Sequence, residues 1–212
     1  THTESVNLLT YLLLFLIAFS LSWALSPAMR RAAFHIGAVD FPGERKIHTV
    51  PTPRIGGVAI VLSIAVTFLA AVGLAHLAPS SFAFDLTHSW PILAGGVIVF
   101  LGGAFDDIRP LPVYGKFLIQ AAAALMAIAL GVRIDHVSLF GSDLIDLGLF
   151  ALPLTFLWIV GITNAFNLVD GLDGLAVGLG SIAAGTCATL FLLRGEGQDA
   201  IMLIIILGAL LG

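Results

Sequence analysis

Asn164, Asn167, Asp170 and Asp173 recur every third residue in the stretch Gly161-Ile-Thr-Asn-Ala-Phe-Asn-Leu-Val-Asp-Gly-Leu-Asp-Gly174. Neighbouring members of such a series share a helix face, but each step of three drifts by roughly 60°. The four therefore cannot all point one way on one helix, and Gly171 and Gly174 permit the break that resolves this. A backbone that unwinds at a membrane boundary, showing amides and carboxylates to water, can hold a metal ion or a nucleotide. A single Asp-Gly pair is usually a helix cap or a turn. Two amides and two carboxylates between long apolar runs point to function instead, because ionisable groups at membrane depth are costly.

Two further clusters carry chemistry. In Phe105-Asp-Asp-Ile-Arg-Pro-Leu-Pro-Val-Tyr-Gly-Lys-Phe-Leu-Ile-Gln120, Asp106 and Asp107 are too close for both to be charged without a cation or a shared proton. They imply a metal, base chemistry, or a salt bridge to Arg109 or Lys116. Position 110 is proline, so the pair does not extend into Asp-Asp-x-x-Asp. Lys116 and Gln120, four apart at the start of the next helix, reach toward the same place. The third cluster, Asp40 to Gly57, combines Arg45, Lys46, His48 and Arg54 with prolines 42, 51 and 53, which forbid a regular helix. Gly56-Gly57 then opens a span with bare backbone amides. Amides at a helix start beside cations suit a polyanion. Anchoring on anionic lipid explains the cations alone equally well, but not the proline and glycine framework.

The elements that must position these groups are membrane helices. With 59% hydrophobic and 10% charged residues, the chain has far fewer charges than a soluble domain. Its net charge of −4 says little about partners. Cys187 is alone, which excludes an internal disulfide or a thiolate metal site, and it reads as a packing residue. Uncharged runs cover Val6–Leu25, Ile55–Leu77, Leu86–Phe105, Phe117–Val132, Leu147–Ile162 and Leu175–Leu193. The first has neither the basic flank nor the cleavage site of a signal peptide. A seventh run from Ala200 to Gly212 rises only about 18 Å, too little to span.

The expected fold is an all-α integral membrane helix bundle, one domain over 1–212 with about six complete spans and a truncated seventh. Val132–Asp146 alternates around Gly141-Ser142 and predicts a small β-hairpin on the outer face. Of nine basic residues, Arg30, Arg31, Arg45, Lys46, Arg54, Arg109 and Lys116 fall in odd loops, against Arg133 and Arg194 in even ones. That bias places the odd loops in the cytoplasm. Parity then puts all three polar clusters on that side.

Together the clusters resemble those of the polyprenyl-phosphate N-acetylhexosamine-1-phosphate transferases, the glycosyltransferase family 4 enzymes that begin cell-envelope glycan synthesis. The matching residues are Asp40-x-Pro42 with Arg45-Lys46-x-His48 and Pro53-Arg54-x-Gly56-Gly57, Asp106-Asp107 with Lys116 and Gln120, and Asn164-Ala-Phe-Asn167 through Asp170-Gly-x-Asp-Gly174. The resemblance implies transfer of sugar-1-phosphate from a UDP-N-acetylhexosamine to a polyprenyl phosphate such as undecaprenyl phosphate, with release of UMP. It implies magnesium, with manganese as a substitute, and a multi-pass enzyme of the bacterial inner membrane whose site faces the cytoplasm. Its partners are these substrates and membrane lipid, not nucleic acid; a homodimer is compatible with it.

Carried over, Asn167 resembles the family's magnesium-ligating asparagine, and Asp170 and Asp173 its nucleotide-site aspartates. Asp106 and Asp107 would line the reaction centre. Asn164, Lys116, Arg45, Lys46, His48 and Arg54 would bind substrate. The family's other magnesium ligand, in a Gly-Asp-x-Gly-Ser loop, and its later histidine-rich loop do not occur in this sequence, which resembles an N-terminal fragment. Thr49-Val-Pro-Thr-Pro-Arg-Ile-Gly-Gly57 resembles the UDP-GlcNAc branch more than the branch using UDP-MurNAc-pentapeptide. UDP-deoxyhexosamine donors would leave the same motifs. A broken-helix transporter is the rival class, disfavoured by the lack of an inverted repeat and by the placing of the clusters at one face. A non-catalytic fragment is the third reading.

Overall fold

The computed structural model describes residues 8–40, 50–77, 89–138, 143–169 and 174–212. Seven α-helices dominate them: α1 (Leu8–Ile36), α2 (Gly56–Leu77), α3 (Trp90–Ile108), α4 (Val113–Ala129), α5 (Ala151–Val169), α6 (Leu175–Leu193) and α7 (Gly197–Leu211). Two antiparallel pairs of two-residue strands complete the fold: β1 (Val39–Asp40) with β2 (Thr52–Pro53), and β3 (His136–Val137) with β4 (Ile145–Asp146). The chain divides into two compact units, one of residues 1–85 and 174–212 and one of residues 86–173.

In the first unit α1, α2, α6 and α7 pack together. Its core is made of Tyr11, Leu14 and Ala18 from α1, Ala71 from α2, and Ala200, Ile201, Ile205 and Ala209 from α7. Small residues let backbones approach closely where lipid removes the hydrophobic drive for helix association. Ala59, Ser63, Thr67 and Ala71 form such a stripe at spacings of four along α2, all fully buried. α7 runs parallel to α1, and a Cβ on Gly208 would strike the Phe15 carbonyl oxygen.

The first helix runs well beyond the apolar stretch that ends at Leu25. Ala28, Met29, Arg30, Arg31, Ala32 and Ala33 are good helix formers, so the helix needs no lipid to continue. Pro27 sits inside it, and beside that proline Ser26 Oγ donates to the Ser22 carbonyl at 2.9 Å. The stop comes at Gly37, where φ is +75° and the Ala38 amide reaches back to the Ala33 carbonyl at 3.0 Å. That is the left-handed termination glycine favours.

The second unit holds α3, α4 and α5, with α4 packed on both neighbours. α3 and α4 are antiparallel. A Cβ on Gly95 would lie 3.2 Å from the Ala123 carbonyl oxygen, and one on Gly102 would meet Ile119 Cγ2 at 2.5 Å. At the other end of α4, the Ile134 amide donates to Thr155 Oγ1 at 2.9 Å, and that hydroxyl donates to the Ala151 carbonyl at 2.7 Å. This ties the start of α5 to the end of α4. The expected hairpin is present as β3 and β4, its tip (139–142) lying outside the described residues.

Among the described residues, α1, α2, α3, α6 and the segment 148–169 that includes α5 are long and apolar enough to cross a membrane. α4 and α7, at 17 and 15 residues, are shorter apolar helices. Leu69, Leu101, Leu118 and Ile182 are each more than 60% exposed, as suits lipid-facing side chains. The chain is that of a multi-pass membrane protein. Gly208→Val should lower stability by about 1–3 kcal/mol, since a backbone carbonyl cannot move aside as a side chain can. Gly73→Ala, where a Cβ meets nothing within 4 Å, should be neutral or stabilising. Thermal unfolding in detergent measures both.

Candidate functional site

Two of the expected site residues, Asp106 and Lys116, meet at the turn between α3 and α4. Arg109 follows α3 in an extended conformation (φ −132°, ψ 99°), as a residue before proline prefers. Pro112, at φ −65°, starts α4. Between them the Leu111 amide donates to Asp106 Oδ1 at 2.7 Å. Lys116 Nζ meets the other oxygen, Asp106 Oδ2, at 2.7 Å. Both oxygens of Asp106 thus clamp the turn and the first turn of α4. Of the roles open to the aspartate pair, a salt bridge to Lys116 is realised for Asp106. Asp107, next along α3, is half-buried.

A lysine in the first turn of a helix opposes the macrodipole, whose positive end is there. Lys116 therefore needs an anion, and Asp106 supplies it. The pair is partly open, with side-chain exposures of 36% and 24%, so an incoming anion can reach the ammonium.

Asn164 and Asn167 lie on the last turns of α5, both exposed. The helix continues through them to Val169, so any departure from it comes later than a break at the asparagines. Asp170 and Asp173 lie outside the described residues; Gly174, at φ +75°, precedes α6. Because Thr155 sits beside Ile134, beyond the end of α4, the 12 residues from Thr155 to Asn167 rise about 18 Å toward the start of α4. The end of α3, the start of α4 and the end of α5 therefore share one end of this unit. Asp106, Asp107, Lys116, Asn164 and Asn167 belong to that end.

Of the remaining expected site residues, Arg54 belongs to the other unit, where its Nη2 pairs with Asp40 Oδ1 at 2.6 Å. The Arg54 amide also donates to the Ala38 carbonyl at 3.0 Å, closing the β1–β2 ladder. Arg45, Lys46 and His48 lie outside the described residues. No three His, Cys, Asp or Glu side chains converge on a cation position among the described residues. Sequence reasoning did not give Asp40 a partner, although an acidic residue at one end of a basic proline-bracketed loop was a signal. Nor did it anticipate that Gln120 would be buried.

The sequence profile of glycosyl transferase family 4 matches residues 89–212, which include this three-helix unit and α6 and α7. The chain belongs to that family. It is 39% identical over 189 residues to a Bacillus subtilis (strain 168) protein named probable undecaprenyl-phosphate N-acetylglucosaminyl 1-phosphate transferase, covering 89% of this chain and 50% of that one. Against the decaprenyl-phosphate N-acetylglucosaminephosphotransferase of Mycolicibacterium smegmatis it is 36% identical, over 87% of this chain and 48% of the relative. For the undecaprenyl-phosphate alpha-N-acetylglucosaminyl 1-phosphate transferase of Escherichia coli K12 the figures are 31%, 86% and 47%. This family member spans about half the length of these relatives.

The clamp can be tested by itself. Asp106→Asn keeps an oxygen for the Leu111 amide and loses only the charge, whereas Asp106→Ala loses both bonds. For so open an ion pair the first should cost about 0.5–1 kcal/mol and the second about 1 kcal/mol more. Combining Lys116→Met with Asp106→Asn should cost less than the sum of the two single changes, as thermal unfolding of the set would show.

Proposed function

We propose that the full-length protein transfers N-acetylglucosamine-1-phosphate from UDP-GlcNAc to a polyprenyl phosphate, releasing UMP. The observation that carries this reading is the Asp106–Lys116 clamp at the end of the α3–α4–α5 unit that also carries Asn164 and Asn167. The names of the relatives agree with it, and the Pro53-Arg54-Ile-Gly-Gly57 form favours GlcNAc over the alternative donors.

The electrostatics of that end suit a cation bound to a polyanion. Two helix C-termini, those of α3 and α5, bring the negative ends of their dipoles, and the α4 N-terminus brings a positive end with Lys116. The amide of Asn167 and the carboxylate of Asp107 are hard oxygen donors, the kind magnesium takes, and it needs only one or two from protein because it keeps several waters. The donor set therefore fits magnesium, with Asn167 as the proposed ligand. When bound, the ion would offset the charge that builds up on the pyrophosphate.

The chain's own residues do the remaining work. Lys116, kept at the start of α4 by Asp106 before substrate arrives, draws a phosphate to that place. Asp107 stands beside the reacting groups as an organiser of charge, or as the base for the monoanionic fraction of the lipid phosphate. That phosphate has a second pKa of about 6, so most of it is already a nucleophile at neutral pH. Phosphoryl transfer depends chiefly on such positioning and electrostatics. Asp170 and Asp173 are proposed to hold the nucleotide, and the sequence pattern of Arg45, Lys46, His48 and Arg54 suits binding of phosphate. The site faces the cytoplasm of a bacterial inner membrane, as the distribution of basic residues favours.

The test is UMP release from UDP-GlcNAc and polyprenyl phosphate by the full-length protein in detergent. Activity should vanish on chelation of divalent metal and return with magnesium. Asp107→Asn should lower kcat by about two orders of magnitude while leaving UDP-sugar binding largely intact. Transport of a substrate without UMP release would instead favour the carrier reading. Asn167→Leu keeps the bulk and removes the oxygen, so UDP-sugar binding should lose its magnesium dependence. If wild type and the Leu variant give equal magnesium titrations, the metal moves to the aspartate pair.

A further inference from the structure

Gln120 is 6% exposed, and its Oε1 has no hydrogen-bond partner among the described residues. It lies on the face of α4 that packs against α3. Lys116, Gln120, Ala123 and Ala127 follow at spacings of four, three and four, which keeps them within about 60° of one another around the helix. Ala123 and Ala127 lie against Gly95, and Lys116 is bonded to Asp106. A buried amide oxygen without a donor is expensive, the more so where no water can reach it. Methionine would fill the same space without that penalty. An oxygen kept there serves a state in which it has a donor.

The donor one turn away on the same face is the Lys116 ammonium, at a Cβ separation of about 5–6 Å. An ammonium has three N–H groups, and Asp106 Oδ2 takes one of them. The two acceptors differ in a way that matters when a polyanion is bound. A carboxylate beside phosphate adds like-charge repulsion, whereas a neutral amide oxygen shares the ammonium without adding charge.

We propose that Gln120 is a positioning residue that provides Lys116 with its second acceptor: the ammonium rests on Asp106 while the site is empty and is held by Gln120 Oε1 when a phosphate polyanion competes for it. The proposal rests on the reading of this end as a phosphoryl-transfer site. It explains why the residue is neutral, buried and one turn from the clamp.

The experiment is a double-mutant comparison in the full-length protein. Gln120→Met alone should leave Tm unchanged or raised, because an orphaned oxygen has been removed. In an Asp106→Asn background Lys116 has already moved to Gln120, and there Gln120→Met should lower Tm by about 3 °C. A packing role predicts the same change in both backgrounds, and that result overturns the proposal. In the otherwise unaltered protein, Gln120→Met should also lower kcat/KM for UDP-GlcNAc by about tenfold, as a misplaced ammonium would; an unchanged kcat/KM overturns it too. If wild type releases no UMP while the Tm pattern holds, the functional reading fails and the Lys116–Gln120 coupling stands.

Discussion

A helix in hydrocarbon must satisfy its own backbone, and so a chain built from such helices can present charge to water only at their ends. The charged and amide groups of the α3–α4–α5 unit's polar end obey that constraint. Asp106 and Asp107 close α3, Lys116 opens α4, and Asn164 and Asn167 close α5. Up, down and up again brings these ends together, so the connectivity of three apolar helices gathers the polar groups. The side chains then need only the last few ångströms of adjustment. Asp106 makes it, bonding the Leu111 amide on one side and the Lys116 ammonium on the other.

The same constraint explains the packing beneath. Where lipid is as apolar as leucine, helices associate through close backbone approach, and the contact residues are Gly95 and Gly102 against Ala123, Ala127 and Ile119 in one unit, and Gly208 against Phe15 in the other. The small residues bring α3 and α4 near enough for Asp106 and Lys116 to meet. The clamp is thus a consequence of the glycines at 95 and 102 as much as of the two charged residues.

Much of this was legible in the sequence, because the signals were strong and local. Apolar runs gave the helices, and α6 coincides with its run at Leu175–Leu193. Runs of uncharged residues misplace ends wherever a helix leaves the apolar layer: α1 continues eleven residues past Leu25 because alanine, methionine and arginine sustain it, and α5 carries both asparagines to Val169. The hairpin was readable from alternation, but the β1–β2 pair was not, since its two-residue strands are closed by Arg54 and Asp40 across fourteen positions. The Asp106–Lys116 bond stood among several options because no periodicity fixes a contact across a turn with two prolines. Gln120 looked like a site residue by its spacing from Lys116; only packing against α3 shows that its amide is buried.

The proposed site requires the ends of α3 and α5 and the start of α4 to lie together. Single cysteines introduced as Lys116→Cys, Asn167→Cys and His136→Cys in a Cys187→Ala background test it through a membrane-impermeant thiol reagent on sealed vesicles of defined orientation. Positions 116 and 167 should label from the same side and position 136 from the other. Labelling of 116 and 136 from one side, or of 116 and 167 from opposite sides, would contradict the account.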